Sequence, residues 1–167
     1  MALIDGLLQE LEHEAKTTRR VLERVPDGQL TWRPHPKART LGELALHVAM
    51  VPGGVAELGA SSSPAQAPKF GTDPSPKGSS ELIPALDQSI AKAKSVLGGM
   101  DDATLTATWQ MMNGDRELFA IPRVAFLRSI MLNHWYHHRG QLTVYLRELG
   151  VPVPSIYGPS ADENPFA

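Results

Sequence analysis

His134 and His138 stand four residues apart where a helix should be placing core side chains. From Phe126 to Leu149 the inward positions run Leu127, Met131, His134, His138, Leu142, Tyr145 and Leu149. That three-and-four spacing is the seam a helix turns toward its neighbours. Burying an imidazole without a partner costs a few kcal/mol, so something should offset two of them. Side chains at i and i+4 lie one above the other on a helix, and two ring nitrogens so placed can converge on a metal ion. A third inward histidine, His47, falls on another apolar stripe, three residues after Leu44 and four before Val51. Facing helices about 8–10 Å apart can bring such side chains onto one ion. Three protein ligands with one open position form the pattern of a catalytic site, whereas four close it.

The alternative for each histidine is a hydrogen-bonded core residue. His137 points about 100° away from His138 and reads as surface or as a support to the site. His13 is only loosely inward, and His35 lies in a proline-flanked loop. Glu43, one turn before His47, is in reach as a fourth ligand, but its spacing from Thr40 already suits a helix-capping box. Trp32, Trp109 and Trp135 read as core and loop anchors. On the third helix Glu81 and Asp87 flank the apolar stripe without entering it, so that helix offers no obvious ligand; no catalytic residue is identified.

Four helical segments position these residues. The first spans about residues 2–24, with Ile4, Leu8, Leu11, Ala15, Thr18, Leu22 and Val25 inward, and Pro26-Asp27-Gly28 stops it. Pro34 and Pro36 make residues 31–39 a loop. The second helix opens at Thr40 and turns Leu41, Leu44, His47, Val48, Val51, Val55 and Leu58 inward, with a kink or fraying expected at Pro52-Gly53-Gly54. Residues 60–79, rich in Ser, Pro, Gly and Lys, form a loop long enough to let the second and third helices run parallel. The third helix covers about residues 80–97. Asn113-Gly114 between short apolar runs predicts a tight hairpin. Pro122 then suits the first turn of a long fourth helix ending at Gly150. The proline-rich tail should lie over the bundle as irregular chain.

The bulk composition narrows the function. The chain has 167 residues, enough for one domain spanning 1–167. Sixteen basic and eighteen acidic residues give a net charge of −2, without the basic stripe that nucleic acid asks for. There is no Cys, which excludes thiolate metal sites and leaves His, Asp, Glu or backbone oxygen as ligands. Acidic residues interrupt the N-terminal stretch where a secretory signal is apolar. No unbroken apolar run approaches the roughly 18 residues of a bilayer span, so a cytoplasmic location without a membrane partner is expected.

The string His134-Trp135-Tyr136-His137-His138-Arg139-Gly140-Gln141 resembles the HxxxHRGQ signature of the DinB-like (YfiT-like) metalloprotein superfamily. Trp32-Arg33-Pro34-His35-Pro36 and Leu41-Gly42-Glu43-Leu44-Ala45-Leu46-His47 resemble its first loop and second helix, and Pro154 to Glu163 its tail. The resemblance covers nearly the whole chain. It implies an all-α four-helix bundle of up-down-down-up topology, usually a homodimer, with zinc or nickel on residues matching His47, His134 and His138. Characterised relatives include thiol-dependent transferases and isomerases using bacillithiol, mycothiol or glutathione, and a metal-dependent hydrolase. The functional expectation is thus a thiol S-transferase acting on a small electrophile, with a metal-dependent hydrolase or a non-catalytic, stress-related metal-binding dimer as alternatives.

Overall fold

A computed structural model describes residues 2–69, 71 and 74–167. Residues 70, 72 and 73 of the expected long loop, and residue 1, lie outside the described set. The helices are α1 (Leu3–Leu22), α2 (Leu41–Ala60), α3 (Leu82–Leu97), the short α4 (Asp102–Thr106), α5 (Arg123–Phe126) and α6 (His134–Glu148). A π-helical stretch, Leu127–Asn133, joins α5 to α6. The strands are β1 (Ala65–Gln66), β2 (Thr108–Asn113) and β3 (Arg116–Pro122). The chain is therefore mostly helical but not all-α. β2 and β3 form the expected hairpin, whose two-residue turn, Gly114-Asp115, uses Gly114 at φ +60°, a backbone angle glycine adopts without a Cβ clash. β1, inside the loop read as structureless, adds a parallel edge to β2. A two-residue strand leaves no periodicity to read.

α2 is the core helix. Its capping box forms as its sequence asks: the Thr40 N–H donates to Glu43 at 2.7 Å, and the Glu43 N–H donates to Thr40 Oγ1 at 3.1 Å. Twelve of its residues are buried, on nearly every side, as expected of a helix apolar all round. The expectation of no apolar segment of spanning length is corrected here. Leu41–Ala60 has 20 residues and a mean hydropathy of 1.2, long and apolar enough to cross a membrane by length and composition. In the fold 61% of that window is buried against the rest of the chain. Counting only unbroken apolar runs missed it, because Glu43, His47 and Glu57 interrupt the run without removing the helix's apolar character.

Helix assignment continues unbroken through Pro52. Proline has no N–H for the carbonyl four residues back, and that carbonyl, on Val48, instead accepts the indole N–H of Trp135 at 2.8 Å. One residue on, the Gly53 N–H donates to Ser89 Oγ at 2.8 Å, and that hydroxyl donates to the Met50 carbonyl at 3.1 Å. The Pro52-Gly53 step thus docks α3 on one side and α6 on another. Along α2 and α3 the pairs Gly53/Ser89 and Glu57/Lys92 advance in the same sense. Along α1 and α3 the ion pairs Glu12/Lys94 and Arg19/Asp87 advance in opposite senses.

Two buried faces differ from the expected stripes. On α1 the buried set is Ile4, Leu7, Leu11, Glu14, Thr18, Val21 and Leu22, so Leu7 and Glu14 take places assigned to Leu8 and Ala15. On the last helix Trp135, Arg139 and Leu146 are buried beside His138 and Leu142. Leu127, Met131, His138 and Leu142 are buried as expected, so the seam survives the π stretch and the buried face is wider than the seam.

Gly53→Ala tests the docking point. A Cβ there would lie 2.8 Å from the Ser89 carbonyl oxygen and 2.9 Å from its Cα. Alanine favours helix by about 1 kcal/mol, yet overpacking against backbone should outweigh this and destabilise by about 1–3 kcal/mol. A lowered urea midpoint is expected; an unchanged or raised midpoint would refute the close approach.

Candidate metal centre

His47 from α2 meets His134 and His138 from α6, and one ligand nitrogen from each lies within 4.8 Å of the others. Ring centroids are 5.4 Å apart for His47 and His134, 4.5 Å for His47 and His138, and 4.4 Å for His134 and His138. The Trp135 bond to Val48 holds this register, since each partner is the immediate chain neighbour of a cluster histidine. His137 and His13 are exposed and stand outside the cluster. His35 is exposed too, and its Nδ1 accepts the Lys37 N–H at 3.1 Å. Glu43 stays in its capping box. Trp109 and Trp135 are fully buried, while Trp32 packs edge-on to Tyr145 at 5.5 Å, so all three act as anchors.

The donor chemistry fits a divalent cation. Burial, opposed by the Gln141 hydrogen bond and reinforced by the charges of His134, Arg39 and His137, pushes His138 down to about 4. His134 is lowered too, by burial first and then by Arg39 and His137. Both rings are thus neutral near pH 7, the form in which imidazole binds metal. His138 Nδ1 lies 2.7 Å from Gln141 Oε1. The amide oxygen only accepts, so Nδ1 carries the proton and Nε2 keeps the lone pair that a metal would take, as second partners of metal-binding histidines commonly arrange. Sequence reading gave Gln141 no role; its signal was its place one turn after His138.

The cluster opens on a cavity of about 620 Å³ between α2, the hairpin and the π stretch. His47 and His134 form one end of it, and the rest of the lining is apolar.

A model of the DinB family matches residues 2–165 of this chain. The chain belongs to the DinB family. It is 28% identical to the uncharacterized protein YrdA of Bacillus subtilis strain 168, over 96% of this chain and 91% of YrdA. It resembles the crystal structure of a DinB-like protein from Bacillus cereus, with a TM-score of 0.69, 25% identity, and 92% and 97% of the two chains covered. A DinB-like protein from Bacillus subtilis shares the fold at a TM-score of 0.67 and 18% identity, over 90% and 96%.

Behind the cluster, this DinB-family chain buries an ion pair that sequence reading did not find. Arg139, next to His138, meets Glu14 of α1 at 2.6 Å, with side chains 2% and 7% exposed. Arg139 also donates to Thr18 Oγ1 at 3.1 Å and to the Tyr157 hydroxyl, and its guanidinium lies 5.2 Å from the ring centres of both Tyr136 and Tyr157. The Tyr157 hydroxyl donates to Glu14 at 2.9 Å. The signal was present: Leu7, Leu11, Glu14, Thr18 and Val21 alternate in fours and threes. The irregular tail, as expected, lies over the helices. It is pinned by the Arg147–Asp162 and Arg20–Glu163 pairs, and the Val153 N–H donates to Asp162 at 2.8 Å.

Two outcomes follow. Arg139→Met leaves Glu14 buried and uncompensated and should cost about 3–5 kcal/mol. Combining it with Glu14→Leu should recover much of that loss in urea unfolding, and a double mutant less stable than the single would contradict the pairing. The tail should respond to acid. Arg147 holds Asp162 below its ordinary 3.8, and Arg20 holds Glu163 below its ordinary 4.5. Depressed carboxylates bind fewer protons folded than unfolded, so their contribution is present above 4.5 and is lost as pH falls through the depressed values. Amide protection at Val153 and Ser155 should hold from pH 7 to about 5 and fall below pH 4 before the helices open.

Proposed function

We propose that His47, His134 and His138 hold one divalent ion, zinc or nickel, and that the protein is a metal-dependent S-transferase joining a low-molecular-weight thiol to a small electrophile. The observation that carries this reading is an imidazole cluster at the end of a cavity in whose lining no carboxylate stands among the described residues. A divalent ion there supplies Lewis acidity, which keeps a thiol deprotonated at neutral pH. The protein's own groups do the rest. Gln141 fixes the His138 tautomer, and the apolar cavity walls exclude water from the electrophile. In the transfer the thiol proton passes to solvent, and the sulfur electron pair forms the new S–C bond. The bond from that carbon to its leaving group breaks with its electron pair.

A hydrolase would need a general base beside the water, and Glu43 is engaged at the helix cap, so hydrolysis ranks second. A closed, non-catalytic site would need a fourth ligand, and among the described residues no further His, Asp or Glu joins the cluster. The long helices read as a four-helix bundle of up-down-down-up order, supported by the sense of the α1/α3 and α2/α3 pairs. A cytoplasmic homodimer acting on small molecules, with no nucleic-acid partner, completes the proposal.

Alanine at His47, His134 or His138 should each abolish stoichiometric metal in natively purified protein, and full metal in all three variants would refute the site. Gln141→Leu should retain the fold and weaken metal affinity about 10–100-fold in chelator competition. A cobalt-substituted sample should change its spectrum on adding a small thiol; an unchanged spectrum with metal retained would favour the closed site.

A further inference from the structure

The 620 Å³ cavity has the size of small-molecule sites, about 300–1,000 Å³, and its lining is sharply divided. At one end are His47 and His134; elsewhere it is Met, Val, Leu, Ile, Phe, Ala, Pro and Gly, without one charged side chain among the described residues. One wall is aromatic: Phe119 and Phe126 stack with centres 6.1 Å apart, and Trp109 backs Phe126 at 4.6 Å. Met50, Leu118 and Ile130 line the cavity and are 48%, 43% and 38% exposed. Single exposed apolar residues are ordinary, but three around one opening mark a binding surface.

From this division we infer that the cavity binds an uncharged, predominantly hydrocarbon or aromatic small molecule, whose one polar head rests against His47 and His134. A charged body would lose its hydration with no counter-charge among the described lining residues. An apolar body gains from each methylene or ring removed from water, and the two methionines, Met50 and Met111, adapt to its outline. The hairpin sets the selection, since Met111, Leu118 and Phe119 all come from β2 and β3. If the transferase reading holds, the inference names its electrophile: an apolar compound with its reactive carbon at the polar end. The inference concerns the cavity and stands on its lining, so it is tested without turnover.

Metal-free full-length protein is titrated with two fluorescent probes of one skeleton, neutral N-phenyl-1-naphthylamine and its anionic relative 8-anilinonaphthalene-1-sulfonate. The neutral probe should saturate at one per chain and bind at least about tenfold tighter than the anion. Leu118→Glu places a charge at the exposed mouth of the hairpin and should weaken the neutral probe at least about tenfold. Gly54→Leu should do the same by filling space, since a Cβ at Gly54 meets nothing within 4 Å. Neither variant touches a cluster histidine, so their metal content should match wild type. Probe binding that persists when histidine variants have lost the metal reading would separate the two conclusions. Equal affinity for both probes, or unchanged affinity in both variants, would overturn the inference. So would neutral-probe binding that disappears in step with dimer formation in sedimentation, which would assign the opening to a second copy of the chain.

Discussion

The carbonyl of Val48 is the point on which the two histidine-bearing helices agree. Pro52 leaves it without its intrahelical donor, and an unsatisfied buried carbonyl costs about 1–3 kcal/mol. The Trp135 indole satisfies it at 2.8 Å. A fully buried Trp also needs somewhere to put its N–H, so each group removes the other's penalty. The bond fixes the height and rotation of α6 on α2, and with them the meeting of His47, His134 and His138. One residue further along, Gly53 lets the α3 backbone approach within contact of α2 through Ser89. The same proline-glycine step therefore sets two helix interfaces, and a site built elsewhere on α2 would lack that rigidity.

Opposite faces of α6 carry opposite kinds of polar burial. Toward α2 the imidazoles are neutral, because burial and nearby positive charge both disfavour protonation. Toward α1 the Arg139 charge is matched by Glu14, two tyrosine rings and a threonine hydroxyl. Glu10 ties the same two helices together, accepting from the Tyr136 hydroxyl at 2.9 Å and pairing with Arg128. Burial and that hydrogen bond raise Tyr136, keeping it a donor at any ordinary pH. A helix clamped from one side holds its histidine face steady on the other, the kind of support a binding site needs from surrounding groups. The π stretch immediately before His134 belongs to the same arrangement, as such turns often adjoin functional sites.

Local signals in the sequence were sufficient for much of this. The Thr40/Glu43 box, the Asn113-Gly114 turn region, the proline and glycine stops, and the four-residue histidine spacing each depend on contacts within a few residues, so their meaning is carried in the string itself. The three histidines that were singled out are the three that the fold brings together. The tertiary structure decided the rest. Whether Glu14 or Ala15 faced inward depended on Arg139, well over a hundred residues away, which repays the burial of a charge. The last helix buries Trp135, Arg139 and Leu146 beside the expected seam because α1 and α2 cover two of its faces. β1 exists only because β2 offers an edge, and the apolar cavity is a space between α2, the hairpin and the π stretch rather than a property of any one of them. Sequence sets which groups are present and which local turns they favour; long-range packing alone determines which buried polar groups find each other and what room is left between the elements.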